Sequence, residues 1–253
     1  MTPPATAAYA EAPSRPRVLH IAPISPPRGA SAARPGFRAI FVSEGARRAL
    51  NIAAAVLGIV LTLPLMLVIA ALVKLTSKGP VLYTQMRVGI DRRQAGMPSG
   101  NHRRHIDYGG RLFRIYKFRT MRQAPTQEKQ LWATPDDPRI TRIGKVLRKY
   151  RLDELPQLFN VLRGDMNIVG PRPEQPEILL RLRDQIESYQ RRQCVLPGIT
   201  GWAQVNHHYD MSIEDVRQKV KLDLEYIGRC SAIEDARIMF KTVPVMLFRR
   251  GAW

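Results

Sequence analysis

The chain has 253 residues, enough for one large domain or two small ones. It carries 40 Lys and Arg against 21 Asp and Glu, a formal net charge of +19. Such a balance calls for an anionic partner, namely nucleic acid, acidic lipid or a phosphorylated substrate. Two cysteines, Cys194 and Cys230, give neither a disulfide framework nor zinc spacing and fit a reducing compartment. The sequence also lacks a Walker loop, a Rossmann glycine fingerprint and an internal repeat.

The N-terminal 36 residues are rich in proline, with eight in that segment and hardly any periodic apolar pattern. Because such a segment buries too little apolar surface to offset its ordering entropy, residues 1–36 are predicted to be a disordered tail. The tail is not a secretory signal, since the apolar stretch that follows it comes too late and is too long.

Residues 49–73 contain no charge and are long enough to cross a bilayer core as a helix. Pro64 lies in the middle, where it kinks or breaks a helix. Both flanks are basic, with seven Arg against two acids in residues 1–48 and 33 Lys and Arg against 19 acids in residues 74–253. Because basic flanks mark the cytoplasmic side, residues 37–76 are predicted to form a re-entrant helix–break–helix segment. A spanning helix remains an alternative, and a buried core helix is a weaker one.

The rest of the chain, residues 77–253, mixes short strand patterns with amphipathic helices, which predicts an α+β, mostly helical domain. Strands are expected within 77–85 and 112–121, helices within 140–150, 176–192 and 212–224 and from 231 onward, and loops at 91–110, 122–139 and the glycine-rich 196–202. Capping-box patterns at Ser212 and Ser231 mark two of the helix starts.

The last helix ends in an apolar run before Arg249-Arg250, so it either lies in a membrane interface as an amphipathic helix or packs in the core. His207-His208 is interpreted as part of a loop, because two adjacent histidines do not converge on one metal ion without further ligands.

Two adjacent carboxylates, Asp153 and Glu154, lie among basic residues immediately before Pro156. Proline suits the first turn of a helix, and the apolar run after it continues that helix until Gly164. Carboxylates at a helix N-terminus with cations nearby stay ionised at neutral pH, and a divalent cation such as Mg²⁺ relieves their repulsion. The pattern therefore suggests a site for an anionic substrate with a carboxylate free to attack. An ordinary acidic first turn fits the same residues.

A strand that places Arg114, Lys117 and Arg119 beside aromatic residues is a second candidate for phosphate binding. The solvated face of a strand gives the same pattern, so this signal is weak alone.

Seven short stretches, taken together and in order, resemble the bacterial sugar transferases, the monotopic polyprenyl-phosphate phosphoglycosyl transferases. They are Gly79-Pro-Val with Gln85, Arg87 and Gly89; Lys117-Phe-Arg-Thr-Met121; Asp137-Pro-Arg-Ile-Thr-Arg-Ile-Gly144; Leu152-Asp-Glu-Leu-Pro-Gln157; Gly164-Asp-Met; Val169-Gly-Pro-Arg-Pro173; and Pro197-Gly-Ile-Thr-Gly-Trp-Ala-Gln204.

The resemblance implies an enzyme that transfers a sugar 1-phosphate from a UDP-sugar to undecaprenyl phosphate and releases UMP. The step would initiate assembly of an exopolysaccharide, capsule or O-antigen-type glycan at the cytoplasmic face of the bacterial inner membrane. The partners implied are the UDP-sugar, the polyprenyl phosphate and membrane lipid, and a homodimer is compatible with the resemblance. The sugar stays open.

The resemblance also assigns roles to residues. Asp153 would be the nucleophile that forms a phosphosugar-aspartyl intermediate, and Glu154 together with Asp153 would hold Mg²⁺. The Pro-Arg-Pro motif assigns nucleotide and phosphate recognition to Pro171 and Arg172. Arg148 matches an active-site arginine of the family, and Lys117 and Arg119 are weaker candidates for phosphate binding.

Family members of the short kind carry a re-entrant helix broken at a Ser-Pro pair, whereas this chain has Leu63-Pro64.

Two functions of other classes fit parts of the sequence. A membrane-anchored nucleic-acid binder would explain the charge, but no nucleic-acid module is present, so no nucleic-acid partner is expected. An inactive scaffold is disfavoured because both acidic residues are retained.

Overall fold

The structure is a computed structural model that describes residues 37–92, 107–122, 137–206 and 212–247. The expectations for the tail 1–36, for most of the loops 91–110 and 122–139, for His207-His208 and for Arg249-Arg250 lie outside these ranges.

Helices dominate the described chain, which confirms the α+β, mostly helical prediction. In order, the elements are α1 (Phe37–Thr76), β1 (Leu82–Val88), β2 (Leu112–Phe118), α2 (Arg142–Lys149), a 3₁₀ turn (Leu152–Glu154), α3 (Gln157–Arg163), β3 (Asn167–Val169), α4 (Pro176–Gln185), a second 3₁₀ turn (Tyr189–Cys194), β4 (Gly198–Thr200), α5 (Trp202–Asn206), α6 (Ile213–Arg229) and α7 (Ala232–Leu247).

From Glu44 onward, helix α1 buries one stripe of side chains and leaves the others partly or fully exposed. The buried residues recur at helical spacing and are Arg47, Asn51, Ala55, Met66, Ile69 and Val73. The opposite side is apolar and exposed, with Leu61 at 70% and Leu67 at 63%. Within the described residues, Glu44–Thr76 is the one helix long and apolar enough to cross a membrane. At 1.5 Å per residue those 33 residues measure about 50 Å, more than the roughly 30 Å of a bilayer core.

The predicted break at Pro64 differs from the structure, because α1 continues through this residue. Proline removes one backbone hydrogen bond and can bend a helix, but the helix need not end there when the turns on either side are held. Both halves of α1 are held here, since Ala55 packs with Phe113 and Val161 while Met66 packs with Phe118.

Thr62 supplies a side-chain hydrogen bond close to this proline. Its hydroxyl donates to the Gly58 carbonyl at 2.6 Å, the kind of back-bond that bends a helix slightly. The chain therefore has a hydroxyl two residues before Pro64, whereas the Ser-Pro pair of the family resemblance would place one immediately before the proline.

Strands β1 and β2 form an antiparallel pair, with Leu82 opposite Phe118 and Val88 opposite Leu112. The inner side chains Phe113, Ile115 and Phe118 are buried against α1 and α3. The pair thus confirms both strand predictions and forms the floor on which the helices of the site pack.

Helix α2 lies within the predicted range 140–150, and α3 ends where its sequence indicates. Thr141 caps α2 by accepting a hydrogen bond from the Gly144 amide. Pro156 precedes α3, and Gly164, with φ of 82°, ends it as predicted.

The glycine-rich stretch 196–202 was expected to lack regular structure, and that prediction is wrong. Gly198–Thr200 forms β4, which pairs in parallel with β3. A Cβ on Gly198 would lie 2.1 Å from the Gly170 nitrogen, so two backbones meet here at a distance that only glycine permits. The glycines allow close approach and do not mark a coil.

The predicted helix over residues 176–192 is two shorter pieces. α4 ends at Gln185, Ile186 is extended, and a 3₁₀ turn follows from Tyr189. The break lets Leu179, Ile186 and Tyr189 enter one core cluster. Apolar spacing alone did not reveal the break, because Leu182, Ile186 and Tyr189 keep a helical spacing across it.

The last two helices begin as predicted. Ser212 and Asp215 form a complete capping box, and α6 runs beyond the predicted end to Arg229. The hydroxyl of Ser231 accepts from the Glu234 amide before α7. Helix α7 buries Ile238 completely but leaves Phe240 79% exposed, so it contributes to the core and keeps an apolar outer side.

Candidate active site

The two acidic residues lie in a sharp turn between α2 and α3. Arg151 has φ of 54° and ψ of 22°, a left-handed conformation that is uncommon outside glycine. The 3₁₀ turn of Asp153 and Glu154 follows. The carboxylates therefore occupy a separate turn ahead of α3 and not its first turn, and both are buried, with 8% and 7% exposure.

Glu154 is held by two cations from distant elements. Lys117 on β2 donates to its Oε1 at 2.8 Å, and Arg172 donates to the same oxygen at 2.6 Å. Burial by itself would raise the pKa of Glu154, but the charges of Arg172 and Lys117 outweigh it and place the pKa well below its usual value. Glu154 is therefore a stably ionised centre of this cluster.

Asp153 has different surroundings. No hydrogen bond reaches its carboxylate from the described part of the chain. Burial, and next the charge of Glu154, raise the pKa of Asp153 to about 6, while Lys117, Arg148 and Arg172 act in the opposite direction. At pH 7 the group is still mostly ionised, so the expectation of two ionised carboxylates holds, but with a far smaller margin for Asp153 than for Glu154.

Arg148 reaches the site from α2, as predicted. Its Nε donates to the Thr120 hydroxyl at 3.0 Å, and its charge lowers the pKa of Asp153. Thr120 follows β2, so this bond joins the strand to the helix beside the nucleophile candidate.

Arg172 comes from the loop between β3 and α4. The negative charge of Glu154 raises the pKa of Arg172 above its ordinary value, so the guanidinium stays charged. Pro171, its neighbour, accepts a hydrogen bond from the Gly198 amide at 3.0 Å. The structure thus brings five of the predicted residues together: Lys117, Arg148, Asp153, Glu154 and Arg172.

Arg119 has other partners. Its guanidinium donates to the Ser77 carbonyl at 2.7 Å and to the Ser77 hydroxyl at 2.9 Å, at the C-terminal end of α1. A cation there is favourable because of the helix dipole. Its phosphate-binding role stays a prediction, while the contacts favour a structural role at the end of α1.

The carboxylate oxygens of Asp153 accept no hydrogen bond within the described residues and lie beside three cations, an arrangement suited to attack on a phosphorus atom. In a comparison with known proteins, the family model described as bacterial sugar transferase matches residues 42–249. The chain belongs to the bacterial sugar transferase family. The resemblance drawn from the motifs is confirmed at the level of the family.

Three relatives of this sugar transferase chain carry informative names. It is 45% identical over 206 residues to the UDP-N-acetylgalactosamine-undecaprenyl-phosphate N-acetylgalactosaminephosphotransferase of Aeromonas hydrophila, a match covering 81% of this chain and 44% of the relative. It is 40% identical over 199 residues to the UDP-glucose:undecaprenyl-phosphate glucose-1-phosphate transferase of Escherichia coli (strain K12), covering 78% and 39%. It is 33% identical over 222 residues to the exopolysaccharide production protein ExoY of Sinorhizobium fredii, covering 82% and 88%. The chain spans less than half the length of the first two relatives.

The Mg²⁺ ion implied by the family resemblance needs oxygen ligands. Within the described residues no group of three Asp, Glu, His or Cys side chains could hold a metal. Glu154 already accepts from Lys117 and Arg172, which leaves Asp153 as the carboxylate with open oxygens. The arrangement does not fit the predicted pair of carboxylate ligands, and magnesium binding stays a prediction.

The sequence did not reveal three polar residues that hold the elements of this site in place: Asn160, Glu174 and Arg192. Asn160 is fully buried on α3, where its amide donates to the Arg114 carbonyl and accepts from the Tyr116 amide. A polar residue inside the apolar run 158–162 was the available signal. Arg192 and Glu174 gave none, because ordinary surface charges look the same in sequence.

Proposed function

We propose that the chain transfers a sugar 1-phosphate from a UDP-sugar to undecaprenyl phosphate, with Asp153 as the nucleophile. The names of the relatives support the donor and acceptor classes. The observation that carries the proposal is the difference between two adjacent carboxylates. Glu154 is bound by two cations, while Asp153 has open oxygens beside those same cations.

The proposed reaction has two displacements at one phosphorus atom. An Asp153 oxygen attacks the β-phosphorus of the UDP-sugar, and the bond from that phosphorus to the bridging oxygen breaks. UMP leaves with the bridging oxygen, and the sugar phosphate remains on Asp153. An oxygen of undecaprenyl phosphate then attacks the same phosphorus, which frees the Asp153 carboxylate and yields the undecaprenyl-diphosphate sugar.

The cations supply the electrostatic part of this chemistry. Arg172 and Lys117 bind Glu154, and the charges of both and of Arg148 act on Asp153, so a diphosphate at Asp153 meets three positive groups. The two planar guanidinium groups suit phosphate because their forks grip two oxygens at once. Charge that develops on the departing UMP is stabilised by these fixed groups.

The acceptor is a membrane lipid, and α1 brings the domain to the membrane in this proposal. Both halves of α1 pack against the same domain, through Ala55 before Pro64 and Val73 after it. We infer a re-entrant arrangement, with both ends of α1 on the cytoplasmic face of the inner membrane and its exposed apolar side in lipid. The transfer then initiates assembly of a surface glycan.

A covalent adduct tests the proposal most directly. Purified full chain is incubated with a panel of UDP-sugars and no acceptor, and its intact mass is measured. One donor of the panel should add the mass of its sugar phosphate to the chain, and peptide mapping should place that mass on Asp153.

The matched variants are Asp153→Asn, which removes the nucleophile, and Glu154→Gln, which keeps it. Asp153→Asn should fold, form no adduct and release no UMP. An adduct that survives in Asp153→Asn, or turnover with no adduct under any quench condition, contradicts Asp153 as the nucleophile.

A further inference from the structure

The loop that presents Arg172 is held at every backbone carbonyl from residue 171 to residue 174. The Pro171 carbonyl accepts from the Gly198 amide at 3.0 Å and the Glu174 carbonyl from the Val88 amide at 3.0 Å. The two carbonyls between them accept from side chains. Arg192 donates to the Arg172 carbonyl at 3.1 Å, and Arg87 donates to the Pro173 carbonyl at 3.0 Å.

Arg192 uses each of its three guanidinium nitrogens for a different partner. Nε donates to Asp223 at 2.7 Å, one terminal nitrogen donates to the Tyr189 hydroxyl at 2.8 Å, and the other donates to the Arg172 carbonyl. The residue is 5% exposed, and Asp223 and Tyr189 are 1% exposed. The group is therefore fixed from three directions, and only a planar fork reaches all three partners.

Glu174 completes the support. Its Oε1 lies 3.1 Å from the Lys219 ammonium and 3.9 Å from Arg192. Burial by itself would raise the pKa of Glu174, but the charges of Lys219, Arg192 and Arg87 lower it to about 2. The carboxylate therefore stays ionised and offsets part of the positive charge of Lys219, Arg192 and Arg87 beside the loop.

We propose that Arg192 is a positioning residue that fixes Arg172 for the diphosphate of the donor, with Arg87 holding the adjacent carbonyl. This inference rests on the proposed function for the identity of the ligand. Arg192 touches no reacting group in this arrangement; it acts through the backbone of Arg172. A guanidinium that must grip two phosphate oxygens loses much of its advantage when its own backbone can shift by an ångström.

A second cluster in the chain provides a matched control. Arg47 is also buried, at 8% exposure, and donates to Asp235 at 3.1 Å and to the Tyr226 hydroxyl at 2.8 Å. It has the same partner types as Arg192 but holds no carbonyl of the loop 171–174. Arg→Lys at either position keeps the charge and removes the fork, so a purely structural effect should be similar in both.

The experiment compares Arg192→Lys, Arg47→Lys, Arg172→Ala and the double variant Arg172→Ala/Arg192→Lys in the full chain in lipid nanodiscs. UDP affinity is measured by calorimetry, KM is measured for the UDP-sugar and for undecaprenyl phosphate, and thermal midpoints are recorded. Arg192→Lys should weaken UDP affinity and raise the donor KM about tenfold, the size of one charged hydrogen bond. The acceptor KM should not change.

The double variant separates positioning from independent binding. If Arg192 acts through Arg172, Arg192→Lys should change UDP affinity less than about twofold once Arg172 is alanine. Arg47→Lys should lower the thermal midpoint as Arg192→Lys does and leave UDP affinity unchanged.

Equal UDP affinity in Arg192→Lys and the wild type, or effects of the two single variants that multiply in the double variant, would overturn the positioning role. If the wild type transfers no sugar phosphate while the UDP affinities follow the expected pattern, the proposed function is wrong and the positioning role stands.

Discussion

Asp153 and Glu154 are neighbours in sequence with opposite electrostatic surroundings. Lys117 and Arg172 both pair with Glu154, and the pKa of Glu154 is lowered. The pKa of Asp153 is raised to about 6 by burial and by Glu154. Two carboxyl groups with such different pKa values can serve different roles. Glu154 stays ionised, whereas the protonation of Asp153 can respond to a bound ligand.

The first prediction concerns pH. A carboxylate nucleophile must be ionised, so kcat/KM for the UDP-sugar should rise with pH and level off above a midpoint near 6, the pKa of Asp153 in the free enzyme. In Glu154→Gln the midpoint should move to lower pH, because a negative neighbour has been removed. Initial rates of UMP release between pH 4.5 and 8 measure both. A midpoint near 4 in the wild type would contradict the raised pKa.

The second prediction concerns stability. The pKa of Asp153 is higher in the folded chain than the ordinary value of 3.8, so the folded state binds more protons between pH 4 and pH 6 and loses stability as the pH rises through that window. Asp153→Asn removes this loss. At pH 7 the variant should be more stable than the wild type by on the order of 2–3 kcal/mol, and the difference should vanish near pH 4.

Thermal unfolding of both proteins in the same detergent, at pH 4 and pH 7, checks this expectation. Glu154→Gln is the control with the opposite sign, since it leaves Lys117 and Arg172 without their carboxylate and should lower the midpoint. An Asp153→Asn variant that unfolds at a lower temperature than the wild type at pH 7 would contradict the account.

At the scale of elements, the site depends on short pieces whose ends are fixed. Helix α2 has eight residues, too few for stability without caps and packing. It delivers Arg148, and its first turn is held by the Thr141 hydroxyl. Gly144 lies directly against the backbone that follows β2, because a Cβ there would meet the Thr120 carbonyl oxygen at 2.0 Å. The start of α2 thus fixes the place of Arg148.

The third prediction is that Thr141→Ala lowers the free energy of unfolding by about 1 kcal/mol, the usual cost of losing an N-cap. Thr141→Ser keeps the hydroxyl and should restore most of it. The donor KM should rise in Thr141→Ala and recover in Thr141→Ser, since Arg148 follows the position of the helix. Denaturant titration and steady-state kinetics on the two variants test this. Equal stability of the alanine and serine variants would rule out the cap.

At the scale of the whole molecule, α1 is both the proposed membrane element and a wall of the domain. Asn51 accepts a hydrogen bond from the Ile168 amide of β3, and Arg119 holds the Ser77 carbonyl at the other end. Residues 51 and 77 are 26 residues apart, about 39 Å of helix. The two contacts lie near the two ends of the apolar stretch 49–73. If that stretch crossed the bilayer, one of the two contacts would be lost, which favours the re-entrant proposal.

The fourth prediction tests this topology by labelling. Single cysteines are placed at the exposed positions Glu44 and Lys78 in a chain that carries Cys194→Ser and Cys230→Ser. In intact cells neither position should react with a membrane-impermeant maleimide, and both should react after lysis. Labelling of the Glu44 position before lysis would show that α1 spans the membrane.

The sequence alone determined the family, the order of most elements and several of their ends. Local chemistry sufficed for these, because Gly164 with a left-handed conformation and the Ser212 capping box act within one helical turn. The acidic pair and its candidate role also followed from a contiguous motif.

Only the tertiary structure decided what each charge does. Glu154 meets Lys117 from 37 residues earlier and Arg172 from 18 residues later, whereas Arg119, two residues from Lys117, turns to the end of α1. Spacing along the chain carries no information about such partners. The glycines of 196–202 show the same limit, since their purpose is the close approach of a second backbone that lies 28 residues away, where Gly198 meets Gly170.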